Sequence, residues 1–130
     1  MNRQNIPEDY KFTHFRQRGW VAVDGQGAIG EQVIASKGGA TVCYVTRDDR
    51  TYAAVAFCGP RDNFNYAYGR AKAAGRLTQL LTFPEKADND KFHISKDSDS
   101  IAFLGRLRSY MLDGLGYIHR GKKVKQAPGV

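Results

Sequence analysis

The strongest constraint on this chain is a change of period at Gly59-Pro60. From Gly19 to Cys58 apolar residues tend to alternate with others, and beyond Pro60 they recur at helical spacing. Alternation marks a strand with one face in a core, whereas recurrence every three to four residues marks one face of a helix. A chain divided in this way builds a sheet first and then packs helices against it. The first half reads as four strands, at residues 20–23, 32–35, 41–45 and 52–57. They are separated by Asp24-Gly25, by Lys37-Gly38-Gly39, and by Arg47-Asp48-Asp49-Arg50. Such short joints of turn residues make neighbouring strands antiparallel hairpins, and a β-meander follows. Residues 11–16 carry Phe12 and Phe15 among polar neighbours and read as a short strand or an irregular lead-in.

The helical half opens at residue 63, with Asp62 as the expected N-cap. Phe64, Ala67, Tyr68, Ala71, Ala74, Thr78 and Leu81 form its apolar stripe, and Phe83-Pro84 ends it. Gly69 and Gly75 lie inside that helix. Each costs about 1 kcal/mol against alanine, so a close approach by a backbone or a ligand is expected there. A charged loop over residues 85–100 follows, with room for a short strand at 91–95. A second helix runs from 100 to about 113, capped by Asp97, Ser98 or Asp99 and ended by Gly114 and Gly116. Ile101, Leu104, Arg108, Met111 and Leu115 mark its line, and residues 117–119 add a last strand.

The expected class is therefore α+β, an antiparallel β-meander sheet of four to six strands followed by two helices, packed on one face or extending as a pair. A length of 130 residues supports one core. Residues 1–120 read as a single domain and 121–130 as a basic flexible tail. The net charge is +7, and Arg120, Lys122, Lys123 and Lys125 supply four of those charges, leaving the body at +3. That excess serves solubility or an anionic partner. No apolar run approaches the ~20 residues of a membrane span, and residues 1–5 carry no apolar leader. A cytoplasmic location without a membrane partner is expected. Cys43 and Cys58 sit in apolar strands without metal-type pairing and are expected as reduced thiols.

No catalytic motif emerges. His14, His93 and His119 are spread one per segment, so a metal site would need three distant segments to converge. Gly25-Gln26-Gly27-Ala28-Ile29-Gly30 has the spacing of a dinucleotide fingerprint, but another strand follows it instead of a helix. It reads as a turn. The expectation is a protein that is not an enzyme, with no metal and no cofactor.

Binding chemistry gathers at the start of the first helix. Arg61, Asn63, Phe64, Tyr66, Arg70 and Arg76 combine guanidinium forks for phosphate with rings on which a base can stack. The alternative is that the aromatics are core and the cations an ordinary solvated face.

The same joint carries a resemblance. Phe57-Cys58-Gly59-Pro60-Arg61-Asp62-Asn63-Phe64 is followed by Gly69-Arg70, Ala73, and Gly75-Arg76-Leu77. This pattern looks like one found in small phage-encoded proteins, and the layout is similar to the anti-Thoeris sponges. The resemblance implies a phage protein acting against defence in an infected bacterial cell. It also implies a homo-oligomer that sequesters a cyclic nucleotide signal without cleaving it. It covers about 20 residues of the 130 and transfers no ligand residue. The expected function is thus capture of a small, cyclic nucleotide immune signal. The alternatives are nucleic-acid binding through Lys122, Lys123 and Lys125, or an inhibitor that docks on a host or defence protein.

Overall fold

The computed structural model describes residues 5–22, 30–86, 92–94 and 100–119. Its strands are β1 (Lys11–Ala22), β2 (Gly30–Ile34), β3 (Ala40–Arg47), β4 (Arg50–Phe57), β5 (Phe92–Ile94) and β6 (Tyr117–His119). Its helices are α1 (Tyr66–Thr82) and α2 (Ser100–Ser109), the second running into a π-helical turn at Tyr110–Gly114. The fold is α+β. Six antiparallel strands take the order β2-β1-β3-β4-β5, and β6 pairs with β1. Three expectations fall outside the described residues: the turn at 23–29, the second helix's cap at 97–99 and the tail at 121–130 with Lys122, Lys123 and Lys125.

β1 is one strand of 12 residues, not the short lead-in and separate strand expected. Phe12 points to the same side as Cys43 and Ala54, while Phe15 points to the other with Val42 and Val55. His14 and Arg16 then occupy core-side positions, and their polarity hides the alternation.

The joint between β2 and β3 is the main topological departure. Lys37-Gly38-Gly39 is no hairpin turn, because β2 and β3 both pair with β1 in succession. Pairing runs from Ala22↔Gly30 to Arg18↔Ile34 and resumes at Phe15↔Ala40. Residues 35–39 stand opposite only Arg16 and Gln17, so the chain makes an excursion there. Gly38 and Gly39 turn it, with φ of +74° and +99°, a region costly for side chains that carry a Cβ. By contrast, the β3–β4 joint is the expected hairpin. Asp48 and Asp49 both take positive φ, 53° and 61°, as a two-residue turn of matching twist requires.

The two helices lie on opposite faces of the sheet, which corrects both arrangements expected for them. Ala73, Ala74, Leu77 and Leu80 of α1 pack with Cys43, Val45, Ala54 and Ala56. Leu107 of α2 and Met111 pack with Ala40, Val42, Ala53 and Val55. A strand covered on both faces needs apolar residues at successive positions, which is why β4 reads as the continuous run Ala53-Ala54-Val55-Ala56. The buried stripe of α1 is also rotated from the expected one, and Tyr68 is 66% exposed. The smallest residues, Gly69, Ala73 and Ala74, form the closest approach. At Gly69 a Cβ would collide with the Thr41 hydroxyl. The close approach expected at the small residues of this helix is made, at Gly69, against the chain's own sheet. No helix among the described residues is long and apolar enough to cross a membrane.

Two glycines should respond in opposite ways to alanine. A Cβ at Gly39 would lie 2.7 Å from the Phe15 carbonyl oxygen and 2.9 Å from Phe64 Cδ2, so Gly39→Ala should cost about 2–3 kcal/mol. Gly105 in α2 has open space around it. Gly105→Ala should therefore be neutral or add up to about 1 kcal/mol. Urea unfolding of both variants checks the pair, and equal effects would contradict the excursion geometry.

Candidate functional site

The excursion at 35–39 receives the segment that links β4 to α1. Cys58 N–H donates to the Gly39 carbonyl at 2.8 Å, Gly38 N–H to Asp62 at 3.1 Å, and Phe64 N–H to Ser36 at 2.9 Å. Lys37 and Asn63 complete an antiparallel bridge. These bonds fix the segment's path before the helix begins. Asp62 takes part in a turn, its N–H donating to Gly59 at 3.0 Å, and does not cap α1. Asn65 is the N-cap, with Oδ1 accepting from Tyr68 N–H at 2.9 Å. The helix starts three residues later than expected because the bridge at Asn63 keeps the chain extended.

Beneath the segment lies a cluster of aromatic and cationic groups. Phe64 rests over Gly39 and meets His14 edge-on, with ring centroids 5.9 Å apart. Tyr66 stands edge-on to both, at 4.7 Å from His14 and 4.9 Å from Phe64. His14 is 1% exposed, and its Nδ1 shares a 2.9 Å hydrogen bond with Thr41 Oγ1. The Arg16 guanidinium stacks 4.5 Å from the Phe64 centroid. It donates to Tyr66 Oη at 2.9 Å and to the Ala35 carbonyl at 3.0 Å. Its Nε is buried without a hydrogen-bond partner among the described residues. Aromatic faces and a carbonyl thus hold this cation where a carboxylate would be usual.

Above this base opens a cleft of about 340 Å³ between the 58–65 segment and the first two turns of α1. Thr41 and Ala56 floor it, Asp62 and Asn63 edge it, and Tyr68 and Lys72 form the helix side. Its volume lies in the range of small-molecule sites. The Lys72 ammonium stands 5.8 Å from the centroid of the exposed Tyr68 ring. No acidic residue occupies the first turn of α1, so its amide dipoles are not offset there. Cys58 lines the cleft too, its thiol 3.4 Å from the Asp62 carbonyl. The arrangement offers recognition chemistry: one carboxylate, one ammonium, side-chain amides and an open ring face. Among the described residues no group of three or more His, Cys, Asp or Glu is placed to hold a metal ion.

The six expected ligand residues divide. Asn63 and Phe64 line the cleft, whereas Arg61, Tyr66, Arg70 and Arg76 do not. Arg61 is exposed on the turn and Arg70 is half-buried on α1. Tyr66 anchors Arg16, and Arg76 Nη1 donates to the Val55 carbonyl at 2.8 Å. Sequence reasoning missed Asp62 as a cleft group, having spent it as a cap. Tyr68 and Lys72, which the expected ligand set leaves out, are placed on one helix face by their i, i+4 spacing. No family model, curated protein or solved structure matches the chain.

Two outcomes follow from this geometry. Arg76→Met should cost about 1 kcal/mol in urea unfolding through the lost carbonyl bond. Burial, helped by the charge of Asp9, pushes the Cys43 thiol up to about 12, while Cys58 borders the cleft. A thiol reagent at pH near 8 should therefore modify Cys58 in the native protein and Cys43 only after unfolding. Mass spectrometry of the labelled chain reads the difference, and equal rates would place Cys43 outside the core.

Proposed function

We propose that this protein is a non-enzymatic binder that captures a small, nucleotide-type ligand in the cleft between the 58–65 segment and α1. The observation that carries this reading is the pairing of the exposed Tyr68 ring with the Lys72 ammonium beside an open cleft of about 340 Å³. A base has a face to stack on, and a phosphate has a cation within reach. The walls are set before a ligand arrives, because three backbone bonds hold the 58–64 segment to the excursion. A preformed site spends less of its binding energy on ordering.

The biological setting follows from the resemblance of the same segment to phage counter-defence proteins. In that setting the ligand is a cyclic nucleotide immune signal held intact, in an infected bacterial cell. Nucleic-acid binding and docking on a host protein are the competing outcomes of the test.

The test is calorimetric titration of the purified chain with cyclic and linear mononucleotides. Tyr68→Ala and Lys72→Ala should each weaken binding about tenfold, the scale of one stacked base or one charge-assisted contact. Arg70→Ala should leave affinity unchanged. A bound ligand should also slow labelling of Cys58. Absence of any nucleotide binding, together with duplex binding that falls steeply with salt, would replace this reading with the nucleic-acid one.

A further inference from the structure

The cleft contains one carboxylate, and its setting is specific. The backbone of Asp62 is held at both ends: its N–H donates to Gly59, and its carbonyl accepts from Gly38 N–H at 3.1 Å. The Cys58 thiol adds a contact to the same carbonyl at 3.4 Å. The side chain, by contrast, has no hydrogen-bond or ion-pair partner among the described residues. It folds over Gly59, where a Cβ would stand 2.5 Å from Oδ2. Absence of that Cβ is what admits the carboxylate to its position at the loop end of the cleft.

At the other end, Lys72 lies two turns into α1, about 10 Å along the axis from the cap at Asn65. The cleft is therefore polar in sequence: an acceptor-only group, then aromatic faces, then a cation. A nucleotide cannot place its phosphate beside Asp62 without like-charge repulsion, so the phosphate belongs at Lys72. The base edge then meets the carboxylate. An ionised carboxylate accepts hydrogen bonds and donates none. A base edge that bonds both oxygens of this exposed carboxylate presents adjacent N–H donors, as guanine does with its ring N1–H and exocyclic amino group. Adenine offers one amino group beside a ring nitrogen lone pair, which opposes the second carboxylate oxygen.

We infer that Asp62 reads the donor edge of a guanine-type base, making the cleft selective for guanine over adenine nucleotides. This inference rests on the nucleotide reading above. Asn63 and Asn65 border the same end, Asn63 with a side-chain amide of either polarity and Asn65 with the NH2 that its capping role leaves over. Gly59 acts as a positioning residue, since its missing Cβ makes room for the carboxylate that would touch the ligand.

Parallel titrations with GMP and AMP, each also as the 3′,5′-cyclic form, test it. GMP should bind about tenfold more tightly than AMP, the order of discrimination of one bidentate base contact. Asp62→Asn should remove that preference or turn it toward adenine, because an amide pairs with an acceptor-donor edge. Gly59→Ala should reduce the preference by displacing the carboxylate, while Asp62→Asn keeps the parent's unfolding midpoint and shows that the fold is intact. Equal affinities for GMP and AMP would overturn the guanine inference and leave the nucleotide site standing. Selectivity that survives Asp62→Asn would also overturn it. Failure of all four nucleotides to bind would overturn both readings.

Discussion

Two missing Cβ atoms at Gly38 and Gly39 are the constraint on which the rest of this structure depends. They let the strand partner of β1 leave it after Ala35 for four residues and return three places out of register. The departing carbonyls and amides would be unpaired if nothing met them, and buried backbone groups of that kind are rarely tolerated. The 58–64 segment meets them with three hydrogen bonds and one bridge. The position of Phe64, the start of α1 and the near wall of the cleft all descend from that one interruption. A sheet without the excursion would carry the same helices but have no cleft at this place.

The second organising feature is the cation beneath the segment. Arg16 sits on the α1 side of β1 with no carboxylate among its described contacts, held by ring faces, a phenol oxygen and a carbonyl. Such a charge is held in place by its neighbours more than it stabilises them, since removing water from a guanidinium is costly. Its value is directional. It pulls Tyr66 and Phe64 toward the sheet, which turns the beginning of α1 so that Tyr68, two residues on, faces outward. Thr41 links this base to the cleft floor, sharing a bond with His14 while lying under Gly69.

The α+β class, the antiparallel strands and the existence of both helices were legible in the period of the apolar residues. So was the Asp48-Asp49 turn, whose composition admits few backbone conformations. What escaped depended on groups whose role only the partner strand reveals. His14 and Arg16 look like solvent-side residues until Thr41, Phe64 and Tyr66 are placed around them. Gly38-Gly39 looks like a hairpin turn because an excursion and a turn use the same residue types. The expected ligand residues lie around the joint where the cleft opens, yet none of the three arginines among them lines it. Arginine density in a sequence does not distinguish a cation facing a cleft from one bonded to a strand carbonyl, as Arg76 is. Tyr68 falls on the expected stripe because large apolar residues dominate a periodic pattern, whereas Ala73, Ala74, Leu77 and Leu80 make the real contact.

The bond from Arg76 to Val55 has a meaning for the life of the chain among other chains. Among the described residues, β5 pairs with Tyr52, Ala53 and Ala54 of β4. The next carbonyl along that strand is taken by Arg76. Bare strand edges rich in apolar residues are templates on which a foreign strand can add, the first step toward tangled assemblies. Here a helix lends one side chain to the carbonyl of Val55, next to the β4 residues that β5 pairs. A strand that reached for the Val55 carbonyl would first have to displace a charged donor already bonded to it.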